Sequence, residues 1–385
     1  MVAAAPFIPT YAEFFAGGGM VSAALAGGWN CVLANDIDPM KCAAYSANFP
    51  DHPMIPGDIR DLARDALDQA VDLYWASSPC QDFSLAGKGA GLSGARSGTF
   101  RAWIDTLRHA VDTGNAPRLI AFENVTGLIS RNAGADFALV LRDMMNCGYR
   151  VGAVEVDTAQ FLPQSRPRVF VVGVRRDVQI PSGLLSTGPT HAHAGRVRKF
   201  MSGADAGLRR NWLWWALPDN TAPLADIATL LQPAADVDWF TQPAVDRLLS
   251  LMSDSHLALT QAICAGDADR IGFIYKRGRP DADGIVRQRA EVRFDGVAGC
   301  IRTPAGGSSK QIVLLAGRDR LRARHLTARE AVRLMGLPDT YALPPRVNAG
   351  YKIAGDGVAV PIVAHLDHHI FRPILRAARA KAAAA

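Results

Sequence analysis

Short apolar runs alternate with amphipathic segments along the first 175 residues of the chain. The runs are typical of buried strands, and the amphipathic segments are typical of helices that cover a sheet. The predicted strands are residues 12–15, 30–34, 71–76, 119–122, 149–156 and 169–174. The predicted helices are residues 20–27, 39–49, 99–113 and 137–147. This alternation predicts an α/β fold with a doubly wound, mainly parallel sheet.

The periodic pattern fades after Arg176, where turn residues and arginines predominate. Residues 1–180 are therefore predicted to form the main domain, and residues 181–320 a second, smaller, basic domain. Thr327-Ala328-Arg329-Glu330 has the residue types of a capping box and predicts the start of a helix. We expect residues 321–378 to complete the main domain, and residues 379–385 to form a disordered tail.

The composition is that of a globular protein, because 49% of the 385 residues are hydrophobic and 20% are charged. The six cysteines are scattered without metal-like spacing, so we expect a reduced, cytoplasmic protein without a metal site. No leader peptide is recognised, and no apolar run approaches the ~18 residues of a membrane span.

The net charge is +6, and most of the excess lies in residues 181–325, which hold 19 Lys and Arg against 14 Asp and Glu. A polyanionic partner and a solvated basic face explain this bias equally well.

The segment Pro79-Cys80-Gln81-Asp82 is the most informative for chemistry, because it follows the predicted strand at 71–76. Reacting groups gather at the carboxyl ends of strands in open α/β sheets. Pro79 fixes its own φ and biases Ser78 toward an extended conformation, which directs the thiol that follows. A lone cysteine is more often a small buried apolar residue, so this segment alone decides nothing.

Several small motifs at strand ends suggest a nucleotide-type ligand. Gly17-Gly18-Gly19 follows the first predicted strand and allows the backbone to approach a ligand closely. Asp36 ends the second strand, about 20 positions further on, where nucleotide-binding folds hold ribose hydroxyls. Asp58 offers a carboxylate for an adenine amine. Either acid is equally suited to cap the next helix, and the chain lacks a phosphate-binding GxxxxGK[ST] loop.

Further segments complete the pattern in a fixed order along the chain. They are Phe14-Phe15-Ala16-Gly17-Gly18-Gly19, Asn35-Asp36-Ile37-Asp38, Gly57-Asp58-Ile59, Pro79-Cys80-Gln81-Asp82-Phe83-Ser84, Glu123-Asn124-Val125, Gln164-Ser165-Arg166-Pro167-Arg168, Leu326-Thr327-Ala328-Arg329-Glu330, Arg333-Leu334-Met335-Gly336 and Gly355-Asp356-Gly357-Val358. Together they resemble the DNA (cytosine-5) methyltransferase family of bacteria and phages. The resemblance covers about residues 11–175 and 300–370, and the region between matches nothing transferable.

The resemblance implies the S-adenosylmethionine-dependent methyltransferase fold with a smaller target-recognition domain. It implies S-adenosylmethionine as the methyl donor and C5 of a flipped-out cytosine in double-stranded DNA as the acceptor, without a metal. The resemblance further implies a monomer that belongs to a restriction–modification system.

The resemblance also implies roles for individual residues. Cys80 matches the nucleophile that adds to cytosine C6, and Glu123 matches the glutamate at N3 and the exocyclic amine. Arg166 and Arg168 match two catalytic arginines; Arg168 is the stronger candidate for cytosine O2, while Arg166 is also suited to an acid or a phosphate. The implied cofactor contacts are Phe15, Gly17, Gly19, Asp36, Ile37, Asp58, Ile59, Pro79, Asp356 and Val358. The implied DNA contacts are Gln81, Ser84, Lys88, Arg96, Gln164, Arg302, Gly306 and Gly307.

Three questions stay open at this point. Asp356 stands where the family usually has asparagine, so we expect an altered affinity for the donor. The alternatives in function are an RNA (tRNA) cytosine-5 methyltransferase and a catalytically silent DNA-binding homologue. The basic insertion before Leu326 favours duplex DNA, and intact Cys80, Glu123 and Arg168 favour an enzyme. Trp212-Leu213-Trp214-Trp215 suits base stacking, but core packing is the expected role.

Overall fold

The computed structural model describes residues 7–62, 66, 68–79, 98–281, 283–304, 310–318 and 320–384. The chain forms two compact units. The first unit comprises Met1–Asp157, Pro167–Thr221 and Val358–Ala385, and the second comprises Thr158–Arg166 and Ala222–Gly357. These bounds differ from the expected domains, because residues 181–221 stay with the first unit and residues 321–357 belong to the second.

In the described residues the strands are β1 (Thr10–Phe14), β2 (Asn30–Asp36), β3 (Met54–Pro56), β4 (Leu73–Ala76), β5 (Leu119–Val125), β6 (Tyr149–Asp157), β7 (Pro167–Arg175), β8 (Arg270–Pro280), β9 (Val286–Arg293), β10 (Ile312–Gly317) and β11 (Arg320–His325). The α-helices are α1 (Met20–Leu25), α2 (Pro39–Asn48), α3 (Gly98–Asp112), α4 (Gly127–Ser130), α5 (Ala135–Asn146), α6 (Gly195–Ser202), α7 (Ala206–Arg210), α8 (Ile227–Leu230), α9 (Gln242–Ser250), α10 (Asp254–Cys264), α11 (Ala328–Arg333), α12 (Val347–Asp356), α13 (Val360–Leu366) and α14 (Arg372–Ala384). None of these helices is long and apolar enough to cross a membrane.

The first unit contains one sheet, whose described strands follow the order β3-β2-β1-β4-β5-β7-β6. Strands β1 to β5 are parallel to one another, whereas β7 runs antiparallel to both β5 and β6. The register pairs Phe14 with Ala76, and Ala76 with Phe122. The predicted α/β fold with a mainly parallel sheet is therefore confirmed.

Aromatic side chains fill the core between this sheet and α3. Trp103 lies parallel to Phe122 with a ring distance of 5.8 Å, and Phe100 meets Phe122 edge-on at 5.2 Å. Trp212 and Trp215 are also buried, which confirms the predicted core role of the tryptophan cluster. These contacts hold β5, the strand that contains Glu123, firmly against α3.

The carboxyl-terminal segment completes this core. The indole N–H of Trp29 donates to Asp367 at 3.0 Å, and the Phe371 ring meets Trp75 edge-on at 6.3 Å. Pro361 lies in the first turn of α13, a position that tolerates proline, and so does not interrupt the helix. Helix α14 continues to Ala384, where the sequence predicted a disordered tail.

The second unit contains an antiparallel sheet with the described order β11-β10-β8-β9. Leu248, Ile274, Val292, Ile312 and Leu314 are buried in its core. The capping box predicted at the start of α11 is confirmed, because the side chains of Thr327 and Glu330 each accept from the other residue's backbone N–H. None of the strands β8 to β11 was predicted from the sequence.

Candidate active site

The topology of the first unit brings several of the predicted motifs to one edge of its sheet. Parallel β1, β2, β4 and β5 end there, and antiparallel β7 begins there. The glycine turn, Asp36, Pro79, Glu123 and Arg168 all lie within a few residues of these strand ends. This edge is therefore the candidate site, as expected for an open α/β sheet.

The glycine turn after β1 contains three residues in the left-handed backbone conformation. Phe15, Gly17 and Gly19 have φ angles of 57°, 58° and 81°. This conformation is costly for an aromatic residue such as Phe15, so it marks a strained and potentially functional position. The Phe15 side chain is half-buried and packs against the core of the unit.

Asp36 fastens this turn to the end of β2. Its carboxylate is buried and accepts the backbone N–H of Gly17 and that of Asp38, both at 2.8 Å. Helix α2 is capped by Asp38, whose side chain accepts from Met40 N–H at 3.0 Å, so Asp36 is not the cap. A carboxylate has about four acceptor sites, so Asp36 retains capacity for a ligand hydroxyl.

Asp58, in contrast, has the capping role that the sequence left open. It accepts from the backbone N–H of Arg60 at 3.0 Å and pairs with the Arg60 guanidinium. That guanidinium holds the pKa of Asp58 below its ordinary value. An adenine amine would therefore have to compete with Arg60 for this carboxylate.

Apolar surface is available beside these acids. The Ile37 side chain is 65% exposed at the end of β2, whereas Ile59 is buried. A cavity of about 310 Å³ opens beside Ile59. Its lining also includes Arg60, Leu62, Gly98, Arg101, Ala102, Asp105, Thr106 and His109. The exposed Ile37 side chain is suited to contact with a planar ring.

Glu123 and Arg168 form a buried ion pair at the ends of β5 and β7. The register places Val125 opposite Arg168 and Phe170 opposite Glu123, so the two charged side chains share one face as diagonal neighbours. Arg168 Nε lies 3.1 Å from Glu123 Oε1. Both side chains are nearly buried, at 12% and 8% exposure, so the pair interacts in a medium of low polarity.

Asn124 positions the segment that leads to Cys80. Its amide donates to the carbonyl oxygen of Ser78 at 3.3 Å, and the Ser78 hydroxyl lies 3.2 Å from that of Thr99. Pro79 follows and is exposed. Since β4 and β5 are neighbouring parallel strands, this hydrogen bond ties the two ends that carry the predicted nucleophile and the predicted glutamate.

The sequence and fold of this chain match those of known proteins. A sequence profile described as C-5 cytosine-specific DNA methylase matches residues 10–211 and 273–372, which is well over half of the chain. The chain belongs to this family.

Two curated relatives show how the sequence similarity is distributed along the chain. Type II methyltransferase M.PspPI from Psychrobacter sp. is 34% identical over 169 residues, which are 43% of this chain and 39% of that protein. Type II methyltransferase M.HhaI from Haemophilus parahaemolyticus is 24% identical over 362 residues, which are 94% of this chain and 93% of that protein. The match to M.PspPI thus spans less than half of that relative's length.

Among solved structures, the Dnmt2 methyltransferase of S. pombe has the same fold as this chain. The TM-score is 0.57 with 18% sequence identity, and the alignment covers 96% of this chain and 99% of that one. At this identity the likeness concerns the fold alone.

Two of the predicted site residues, Arg166 and Gln164, lie in the second unit. Arg166 is 2% exposed and donates to the carbonyl oxygens of Ile301 at 2.8 Å, Gly355 at 2.9 Å and Gly357 at 2.7 Å. Gln164 is fully buried and donates to the Leu334 carbonyl oxygen at 2.6 Å. Gln164 is therefore not placed to contact DNA, and Arg166 is placed to hold backbone rather than a base.

Other predicted residues have simpler placements. Arg302 is exposed, as a DNA contact requires, Asp356 accepts from the Thr303 hydroxyl, and Val358 is buried in the first unit. The predicted residues Cys80, Gln81, Ser84, Lys88, Arg96, Gly306 and Gly307 lie outside the described residues. Within the described part of the chain, no group of three or more His, Cys, Asp and Glu is arranged to hold a metal.

Two buried asparagines were not assigned roles from the sequence. Besides Asn124, Asn35 donates to the carbonyl oxygens of Ile55 at 2.9 Å and Gly57 at 3.0 Å. It therefore joins the ends of β2 and β3 directly before Asp58. In both cases the asparagine stands next to an acid at the end of a buried strand. A buried amide needs hydrogen-bond partners, so this position in the sequence already indicated a structural role.

A buried hydrogen-bond network lies beneath the glycine turn. The Ser22 hydroxyl donates to Glu13 Oε2 at 2.7 Å, and the hydroxyl groups of Tyr11 and Tyr45 lie 2.8 and 2.6 Å from that of Ser22. Burial raises the pKa of Glu13 from about 4.5 to about 8, and the nearby Asp36 adds to this rise. The Glu13 carboxyl is thus held protonated at neutral pH, although no sequence motif pointed to it.

This network predicts a pH dependence of folding. The unfolded chain releases the Glu13 proton near its ordinary pKa of 4.5, whereas the folded protein keeps it up to about 8. Between these values the folded state binds the extra proton, so the free energy of unfolding falls as pH rises, by at most about 1.4 kcal/mol per pH unit. From pH 5.5 to 7.5, urea unfolding of the wild type should lose about 2–3 kcal/mol more than Glu13→Gln. Equal losses in both proteins would contradict a protonated Glu13.

A second prediction concerns the role of Arg166. Arg166→Met keeps the apolar stem but leaves three carbonyl oxygens without their donor. At roughly 1–3 kcal/mol for each buried group, we expect urea unfolding followed by circular dichroism to show a loss of about 3–5 kcal/mol. The control is Arg302→Met, which alters an exposed arginine of the same unit and should cost less than about 0.5 kcal/mol. An unchanged midpoint for Arg166→Met with loss of methylation would instead favour contact with the substrate.

Proposed function

We propose that this protein is a DNA (cytosine-5-)-methyltransferase that methylates a cytosine within a specific duplex sequence, with S-adenosylmethionine as donor. The observation that carries the proposal is the buried Glu123–Arg168 pair, 3.1 Å apart, beside the strand end that leads to Cys80. Family membership makes these the residue types expected for cytosine chemistry, and the topology accounts for their convergence.

The chemistry explains why these residue types are needed. C5 of cytosine is a poor nucleophile, and addition of the Cys80 thiolate to C6 makes C5 electron-rich. Free cysteine has a pKa near 8.5, so Cys80 needs a basic partner or a positive environment to form the thiolate. A proton held by Glu123 at cytosine N3 would draw electron density from the ring while the sulfur–carbon bond forms. Arg168 fixes Glu123 in place and donates to cytosine O2.

The residues at the strand ends fit the donor. When bound, S-adenosylmethionine supplies a methyl group on a positively charged sulfonium. The glycine turn would hold its amino-acid part, because Gly17 carries no side chain there and a Cβ at that position would meet nothing within 4 Å. Gly19 serves packing instead, because a Cβ there would overlap the ring of Phe49. Asp36 would accept from the ribose hydroxyls, and Ile37 and Ile59 would contact the adenine ring beside the 310 Å³ cavity.

The target cytosine must leave the helix to reach a pocket of this kind. Extrusion of a base costs a few kcal/mol, which contacts with the protein must offset. The segment 84–97 follows Cys80 and contains four glycines together with Lys88 and Arg96. Lys88 and Arg96 lie outside the described residues, and we propose that both bind DNA phosphates.

The proposal is tested by bisulfite sequencing of plasmid DNA from a methylation-free host that expresses the protein, with transcribed tRNA treated in parallel with purified protein. Protected cytosines in one short motif of the plasmid are the expected result. Methylated tRNA with unprotected plasmid would overturn the DNA substrate and favour the RNA enzyme. Protection of neither would overturn the enzymatic function and favour a silent DNA-binding homologue.

A further inference from the structure

Strands β8 and β9 extend past the sheet of the second unit. Strand β10 pairs with β8 only as far as Ile274, and the backbone N–H of Ala290 is bound by Leu251. Beyond these residues β8 and β9 pair only with each other in the described structure, over residues 277–280 and 286–289. Residues 277–281 and 283–289, named here the arginine ribbon, thus form two antiparallel strand ends whose paired part is about 13 Å long.

Four arginines share one face of the arginine ribbon. Because side chains alternate along a strand, Arg277 and Arg279 lie on the same side as Arg289 and Arg287, which stand directly opposite them. The other side carries Gln288, which with Lys276 lines a cavity of about 290 Å³ against α9. The arginine face therefore lies on the side of the ribbon opposite this cavity.

This face is poorly neutralised. Glu291 pairs with Arg279 at 2.5 Å and more distantly with Arg277 at 3.7 Å, and Asp281 pairs with Arg287 at 2.6 Å. Among the described residues, Arg289 has no ion pair within 4 Å. Like charges directly opposite each other in a ribbon destabilise it, so the arrangement costs folding free energy that a bound polyanion would offset.

Two apolar side chains are exposed near the tip of the arginine ribbon. The Asp281 carboxylate accepts the backbone N–H of Asp283 at 3.0 Å and that of Ile285 at 2.9 Å, which fixes the turn. Ile285 and Val286 are 54% and 70% exposed. Apolar side chains at the end of a cationic hairpin fit a partner with both charge and apolar groups, such as a DNA groove with thymine methyl groups.

We propose that the arginine ribbon enters the major groove of the target duplex and selects guanine, so that the methylated sequence contains a guanine besides the partner of the target cytosine. The inference rests on the proposed function. The major groove of B-DNA is about 12 Å wide and admits a two-stranded ribbon, and arginine binds guanine O6 and N7 through two hydrogen bonds. The deep, narrow major groove of duplex RNA excludes such a ribbon, which favours DNA.

The test measures base preference with the full-length protein. A duplex library with randomised positions around cytosine is methylated by the wild type and by R277K, R279K, R287K and R289K, then sequenced after bisulfite treatment. Lysine keeps the charge but lacks the paired donors of arginine. At least one variant should lose selectivity at one guanine and lower kcat/KM on the wild-type motif roughly 5- to 150-fold. The matched control R270K alters an exposed arginine at the opposite end of β8 and should leave motif and rate unchanged within about twofold.

The outcomes separate this inference from the function on which it rests. A wild-type motif without an additional guanine, or four variants with the wild-type motif and rate, would overturn the inference alone. A loss that is equal for all sequences would also overturn it, because it would limit the ribbon to phosphate contacts. A wild type that methylates no DNA would overturn both proposals.

Discussion

Cys80→Ser is expected to reduce methyl transfer to DNA by about 10³-fold or more, without loss of folded protein. A thiol is a few per cent ionised at pH 7 even without help, whereas a serine hydroxyl is essentially un-ionised, so the variant lacks the nucleophile for C6. The described residues show how the nucleophile is delivered. The backbone N–H of Ser77 donates to the Phe14 carbonyl oxygen at 3.3 Å, and Asn124 holds the Ser78 carbonyl oxygen, so two neighbouring strands fix the segment that ends at Pro79.

The measurement is transfer of labelled methyl groups to duplex DNA, together with denaturing gels of protein trapped on a duplex that contains 5-fluorocytosine. The wild type should form a trapped complex, and Cys80→Ser should not. Cys264→Ser is the matched control, because Cys264 lies in the second unit and donates to the Arg320 carbonyl oxygen. A trapped complex with Cys80→Ser would mean that another residue attacks the base.

Glu123→Gln should lower the rate of methyl transfer about 10²- to 10³-fold, which is the usual contribution of a positioned acid or base. Glutamine preserves the size of the side chain but cannot supply a carboxyl proton to cytosine N3. It also removes the charge that faces Arg168 Nε at 3.1 Å, so Arg168 would be less firmly held. Single-turnover rates with saturating DNA and donor isolate this step from binding.

Glu155→Gln is the matched control for this second prediction. Glu155 is a buried carboxylate at the same sheet edge, paired with Arg196 at 3.0 Å. Its strand partner is Val169, so it lies on the opposite face of the sheet from Glu123. Its variant should retain the rate within about twofold. Equal losses in both variants would mean that the sheet edge tolerates no neutralised carboxylate and that Glu123 has no special part in the chemistry.

The fold of the first unit could be predicted largely from the sequence, because buried parallel strands produce unmistakable apolar runs. The same regularity explains why the convergence of Glu123 and Arg168 was foreseeable. Each motif follows or begins a strand, and the strand ends meet at one edge. The apolar runs of the strands therefore predicted both the fold of the first unit and the proximity of Glu123 to Arg168.

The placement of Arg166 could not be predicted in the same way. Arg166 and Arg168 are two positions apart and look equivalent in the sequence, yet Arg168 meets Glu123 and Arg166 donates to carbonyl groups 135 to 191 positions further along. Contacts over such distances depend on how the whole second unit folds. The division of roles between Asp36 and Asp58 was hidden for a related reason, since it depends on Arg60 and Asp38 as local competitors.

The second unit was the least predictable part. Its helices are short, and its core is assembled from isolated apolar residues such as Leu248 and Ile274, which produce no long periodic pattern. The arginines at 277, 279, 287 and 289 do alternate with period two, but the sequence analysis used them only as part of the basic excess of residues 181–325. Alternation of charged residues is as informative about a strand as alternation of apolar ones.

The first unit is assembled from three separate segments of the chain, and this affects how it folds during synthesis. The last segment of this unit, residues 358–384, leaves the ribosome only after residues 222–357 of the second unit. Synthesis of those residues takes roughly 7–27 s at 5–20 residues per second. During that delay Trp29 lacks Asp367, and α1 lacks its contact with α13. The nascent protein therefore exposes apolar surface that chaperones can bind. The second unit can fold before residues 358–384 complete the core of the first unit.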